Sequence, residues 1–116
     1  MNYIFPETKF VRENNKDTQI DHVTSEIYEF MYSKPNTDEE KEEAMDLYHS
    51  IETLFRIWER QGVDMDAVRQ KVFEKNRARG YYTTCEICEG KGWFFGQKCI
   101  VCDGIGVLKD GKVEDD

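Results

Sequence analysis

The chain has 116 residues, with 24 acidic against 16 basic side chains and a net charge of −8. A chain of this length fits one compact domain with a small appendage, and its limited core benefits from a metal staple or from association. The acidic balance argues against general nucleic acid binding, which needs a basic surface, although divalent cations can reverse the local field and admit phosphates.

Residues 1–15 carry no clear periodicity; Tyr3, Ile4, Phe5, Phe10 and Val11 suit a short strand or an arm packed on another element. A first helix is expected from about Thr18 to Tyr32, capped by Thr18, with Ile20, Val23, Ile27, Phe30 and Met31 as its apolar stripe. Pro35 disfavours helix at Lys34 and breaks the chain there. The second helix opens on Thr37 and Glu40 at capping-box spacing, with Asp38, Glu39 and Glu40 at the positive end of its dipole. Ala44, Leu47, Ile51, Leu54, Phe55 and Trp58 form its buried stripe, and Gly62 stops it. A third helix, from about Met65 to Ala78, has Asp64 as cap, Val68, Val72 and Phe73 as apolar face and Gly80 as its end. Lys71, Lys75, Arg77 and Arg79 make its last turns basic. Beyond Tyr81 the helical period disappears, and six of the eight glycines fall between Gly90 and Gly111. These elements predict a helical domain over 1–82, a small module of turns and short strands over 83–110, and a disordered acidic tail over 111–116.

The module carries Cys85-Glu-Ile-Cys88-Glu-Gly90-Lys-Gly92 and then Cys99-Ile-Val-Cys102-Asp-Gly104-Ile-Gly106, two copies of Cys-x-x-Cys-x-Gly-x-Gly. Two residues between cysteines let both sulfurs face one ion from a tight turn, and glycines at positive φ let backbone amides approach the thiolates. Four thiolates close a tetrahedral zinc shell with no open position, which is a structural rather than a catalytic site. The start Met-Asn-Tyr-Ile-Phe-Pro-Glu lacks the segments of a secretory signal, and no apolar run approaches the roughly 20 residues of a membrane span. A cytoplasmic, membrane-free location is therefore expected, where paired cysteines favour metal over disulfides. Over residues 85–106 the repeat resembles half of the zinc finger of DnaJ-type chaperones. That resemblance implies a fold and not chaperone activity, since the helical His-Pro-Asp motif of the J-domain is absent. Trp93, Phe94 and Phe95, between the two copies, are expected to pack against the helices rather than form an exposed tip.

Glu26 and Glu29 are three apart on the first helix, and Glu43 and Asp46 three apart on the second. Two antiparallel helices could point all four carboxylates at one another, an arrangement that needs cations between them. Hard oxygen ligands of this kind suit magnesium or manganese. Solvated surface acids are the competing reading, but Glu43 projects near Leu47 and Leu54 at the edge of the buried stripe. His22 projects between Glu26 and Glu29 and is expected to be exposed, as is His49. Tyr28, Tyr48 and Trp58 are expected in the core or, less simply, in a base pocket.

The order Ser25-Glu26-Ile-Tyr-Glu29, a thirteen-residue spacer, Glu43-Ala-Met-Asp46 and then Lys75-Asn76-Arg77-Ala78-Arg79-Gly80-Tyr81 resembles the all-α nucleoside triphosphate pyrophosphohydrolases of MazG type, in particular small phage-like members. Ser25 stands where that pattern begins with an acidic residue. The resemblance covers about residues 17–82. It implies an all-α, MazG-like bundle completed by a homodimer or higher homo-oligomer. It also implies Glu26, Glu29, Glu43 and Asp46 as catalytic magnesium (or manganese) ligands, and Lys75, Asn76 and Arg79 as contacts to a nucleotide substrate. The reaction implied is conversion of a nucleoside triphosphate to the monophosphate and pyrophosphate, with Glu42 or a ligand carboxylate as proton acceptor. Lys75 and Arg79 could equally complement the negative end of their own helix. The alternative from another class is a non-enzymatic, zinc-containing oligomeric interaction module with the carboxylates on its surface; a DnaJ-like client binder comes last.

Overall fold

A computed structural model describes residues 1–107. The last three residues expected in the zinc module, 108–110, and the expected acidic tail, 111–116, lie outside the described residues. The elements are α1 (Phe10–Glu13), α2 (Lys16–Met31), α3 (Asp38–Arg60), α4 (Met65–Ala78), β1 (Trp93–Phe94) and β2 (Gln97–Lys98). The chain divides into two compact units, Met1–Val68 and Arg69–Asp116, so the division falls within α4.

Local chemistry sets each helix boundary. The α2 cap is Asn15 rather than Thr18: Asn15 has extended backbone and its side chain accepts from the Thr18 amide at 2.8 Å, so Thr18 already lies inside the first turn. Thr37 caps α3 by accepting from the Glu40 amide, and the Glu40 carboxylate reaches back to the amide of Asn36 instead of that of Thr37. Asp64 caps α4 through the Ala67 amide at 3.1 Å. Helices α3 and α4 end in the same way. Val63 donates to the Trp58 carbonyl with Gly62 at φ +91°, and Tyr81 donates to the Asn76 carbonyl with Gly80 at φ +73°.

In the first unit α2 and α3 pair antiparallel: Gln19 near the start of α2 meets Ser50, whereas Glu26 and Glu29 further along α2 meet Glu43 nearer the start of α3. Gln19 is fully buried; its amide donates to the Ser50 carbonyl and hydroxyl and its own oxygen accepts from Asn14. The apolar core is narrow, with Val11, Leu54, Ile57 and Met65 buried. Much of the expected α2 stripe is not: Ile20, Ile27 and Met31 are exposed, as are Val68 and Val72 of α4 and both Tyr28 and Tyr48. A single pair of helices covers one side of each member, so periodicity marked faces for which the unit itself has no second layer.

The aperiodic start is an arm and a single helical turn laid on α3, and not a strand. Glu52, 4% exposed, accepts from the amides of Ile4 and Phe5 at 2.8 and 3.0 Å. Arg56 donates to the Phe5 carbonyl at 2.7 Å and lies over the Tyr3 ring, whose hydroxyl bonds Glu59. Thr8 and Thr53 join hydroxyls at 3.0 Å. A buried carboxylate satisfied by two amides is stabilising only while both amides stay in place. Glu52→Ala should therefore cost about 2–3 kcal/mol, the value of hydrogen bonds to a charged acceptor. Chemical denaturation will read the loss, and hydrogen exchange at the Ile4 and Phe5 amides should accelerate with it; unchanged protection there would show that the arm is held by other contacts.

Candidate metal centres

The cysteine repeat folds into two knuckles that mirror each other. Gly90 donates to the Cys85 carbonyl and Gly104 to that of Cys99, both at 3.0 Å, with Glu89 and Asp103 at φ +53° and +57°. The second glycine of each copy turns its amide onto a sulfur: Gly92 onto Cys88 at 3.2 Å and Gly106 onto Cys102 at 3.3 Å. The knuckles then hook together, since Cys99 donates to the Gly92 carbonyl at 2.9 Å and Cys85 to that of Gly106 at 3.1 Å. A two-stranded ribbon, Trp93 opposite Lys98 and Phe94 opposite Gln97, carries the chain between them, and a bridge from Thr84 to Val107 closes the module.

All four sulfurs are buried and offer ligand atoms within 4.8 Å of one another. Cys85 Sγ lies 3.9 Å from Cys99 Sγ, and Cys88 Sγ lies 3.6 Å from Cys102 Sγ. A tetrahedron of ~2.3 Å zinc–sulfur bonds has edges of ~3.8 Å, whereas a disulfide needs ~2.05 Å. The shell fits a metal such as zinc and excludes disulfides in this arrangement. The Cys88 amide favours the Cys85 thiolate, but burial and the neighbouring thiols outweigh it and push the Cys85 thiol up to about 11. The expectation is overturned for Trp93 and Phe95, which are 65% and 92% exposed, while the side chain of Phe94 lies outside the described residues. Trp93 opens the first strand of the two-residue ribbon and Phe95 lies in the turn beyond it, at φ +52°.

In the first unit the helix pair brings carboxylate oxygens of Glu26, Glu29 and Glu43 within 4.8 Å of one another. Asp46 stands outside that close group, yet its charge acts on both Glu26 and Glu43. Glu26 Oε2 and Glu43 Oε2 are buried without a hydrogen-bond partner among the described residues. Burial first, and then the charge of Glu29, raise the Glu26 carboxyl above its usual range; burial, Glu29 and Asp46 do the same to Glu43. Such a group is relieved by a proton or by a cation, and three hard oxygens at this spacing are a cation's donor set.

The two helices that carry the cluster each bear a histidine, His22 on α2 and His49 on α3. His22 Nε2 lies 3.4 Å from Glu26 Oε1, and the His22 ring packs on Phe10 at 5.7 Å between centroids. The spacing of His22 and Glu26, four apart on one helix, already placed them on one face. His49 is not a surface residue: it is half-buried, stacked on Phe5 at 4.2 Å, with Nε2 buried and unpartnered among the described residues. No local signal could reveal this, because Phe5 lies in the aperiodic arm. Lys75, Asn76 and Arg79 stand at the C-terminal end of α4, within the second unit. Asn76 supplies the carbonyl that closes the helix, Arg79 lies over the Tyr81 ring, and neither Lys75 nor Arg79 forms an ion pair among the described residues.

The two hooks make the glycine requirement testable. A Cβ on Gly106 (φ +81°) would meet the Gly90 carbonyl oxygen at 2.5 Å, whereas one on Gly96 (φ +76°) meets nothing within 4 Å. Gly96→Ala should cost only the left-handed backbone strain of about 1–2 kcal/mol. Gly106→Ala should open the hook and lose its metal to a chelator far faster than Gly96→Ala, as metal analysis during chelator competition will show; equal loss would mean that the hook is not what retains the ion. Comparisons with protein-family models, with curated proteins and with solved structures found no match to this chain.

Proposed function

We propose that the helical unit is a magnesium-dependent nucleotide pyrophosphohydrolase of MazG type, and that the four cysteines hold a structural zinc ion. The observation that supports the enzyme reading best is the meeting of Glu26, Glu29 and Glu43 with two buried carboxylate oxygens left unpartnered. These are three of the four residues at which the carboxylate pattern resembles the family. Glu26, Glu29 and Glu43 would hold the cation directly, and Asp46 would add negative charge beside them. Bound magnesium would supply the positive charge that admits a triphosphate to an acidic protein and the acidity that activates water. The same resemblance, and not the arrangement of the two units, would have Lys75 and Arg79 offset charge on the triphosphate. Asn76 would contact the nucleotide.

The products decide the matter. Nucleoside triphosphates with magnesium should yield monophosphate and pyrophosphate; diphosphate and orthophosphate would mean attack at the γ-phosphorus and would sink the assignment. Glu43→Gln should lower turnover at least ~100-fold, since loss of a direct ligand costs no less than loss of a supporting group around a metal. Turnover should also fall on acidification. Glu26 and Glu43 have raised carboxyl pKa values in the folded chain, so without a cation they favour folding below the ordinary carboxylate range and lose that contribution as pH rises through their raised values. Above those values they are ionised and take the cation; as pH falls through them, protons displace it.

The non-enzymatic interaction module keeps one observation in its favour, the exposed Ile20, Ile27 and Met31 on α2. The same residues suit the homo-oligomer that the enzyme reading expects, because a second copy would supply the missing layer. Light scattering at micromolar concentration should give at least twice the 13.7 kDa chain mass, and Ile27→Glu should halve it. A wild-type particle of single-chain mass would remove the oligomer from both readings. An assembled chain that cleaves no nucleotide with magnesium or manganese would favour the interaction module.

A further inference from the structure

We infer that His22 is a positioning residue for the carboxylate cluster: it engages one oxygen of Glu26 and thereby leaves the other to the cation. The inference rests on the cation site proposed above and adds a residue outside its carboxylate pattern.

The two oxygens of Glu26 have different surroundings. Oε1 faces His22 Nε2 at 3.4 Å, while Oε2 is buried, without a partner among the described residues. A free carboxylate rotates about its last torsion and exchanges its oxygens. A nitrogen held against one of them removes that freedom and aims the other. His22 is itself held: it sits one turn before Glu26 on α2, and its ring packs against Phe10 of α1. The arm that carries Phe10 is clamped on α3 by Glu52, Arg56 and Thr53. The chain of support therefore runs from α3 through the arm to Phe10, His22 and Glu26. Groups that orient ligating carboxylates typically change metal affinity by about 10–100-fold when lost.

The test uses the full zinc-loaded chain and Mn²⁺ alone as probe, with free Mn²⁺ counted by electron paramagnetic resonance. Manganese prefers the carboxylates to the thiolate shell. Wild type should bind Mn²⁺, and Glu43→Gln should remove that binding. His22→Ala should weaken it about tenfold, with unchanged zinc content and helical circular dichroism. His22→Gln, which keeps a nitrogen donor on a side chain of similar reach, should recover most of the affinity; a merely structural loss would not be rescued in this way. Phe10→Ala, which removes the ring behind His22, should weaken Mn²⁺ less than His22→Ala. If His22→Ala binds Mn²⁺ as tightly as wild type while Glu43→Gln does not bind it, the role of His22 is overturned and the cation site stands. If His22→Ala is unfolded, His22→Gln decides: affinity near that of wild type supports the role, and affinity as low as that of Phe10→Ala or lower overturns it. If wild type binds no Mn²⁺, or Glu43→Gln binds it equally, the cation site and this inference fall together.

Discussion

Like charge held between two helices is the constraint around which the first unit is built. Glu26 and Glu29 on α2 meet Glu43 on α3 with oxygens inside 4.8 Å, and carboxylates at that separation oppose the pairing that brings them there. The apolar core between the helices is small, so polar contacts share the work of holding them. Gln19 reaches across to the backbone and hydroxyl of Ser50, fully buried and fully engaged. Below it, Glu52 fastens the arm to the far side of α3. The repulsion is tolerated because the contacts that oppose it lie on other faces and at another level of the pair, and do not compete for the same oxygens.

The arm links that scaffold to the cluster. Phe5 and Phe10 are separated by a few residues of non-periodic chain, yet each meets a histidine, His49 on α3 and His22 on α2. The carboxylate cluster is only partly covered, with Glu29 exposed and Glu26 and Glu43 half-buried. Burial leads the causes that raise Glu26 and Glu43 even so. The second unit solves a different problem. Among its described residues the buried cluster is the four cysteines with Ile105 packed against them, and in so small a module the thiolate shell replaces a core. Glycine amides aimed at two of the sulfurs favour their anionic form, as a metal requires.

Much of this was legible in the residues. Helix ends marked by Thr37, Asp64, Gly62 and Gly80 fall where side-chain oxygens or left-handed backbone must satisfy orphan amides and carbonyls, and such chemistry is local. The cysteine spacing implied one shell for the same reason: two residues between sulfurs leave few other geometries. Carboxylates at i and i+3 define a helix face, so Glu26 with Glu29 and Glu43 with Asp46 could be paired before any fold was known. The sequence by itself thus determined the helices, the knuckles and the residue types available to each centre.

What only the tertiary structure decided has one physical origin, contact between segments far apart in the chain. Periodicity says that Ile20, Ile27 and Met31 share a face; whether that face is covered depends on how many layers the unit contains, and among the described residues α2 packs on α3 and, near its start, on Phe10 of α1. The cluster admits Glu26, Glu29 and Glu43 and leaves Asp46 at its edge because the register of two helices, set by Gln19 on Ser50, selects which oxygens meet. His49 becomes half-buried because Phe5 lands on it, forty-odd residues away in sequence. Trp93 and Phe95 stay exposed, one on the ribbon between the knuckles and one in the turn beyond its first strand. Residue chemistry is inherited from the sequence, but burial, register and the partner of each polar atom are properties of the packed chain, since each is settled by a neighbour that local spacing does not name.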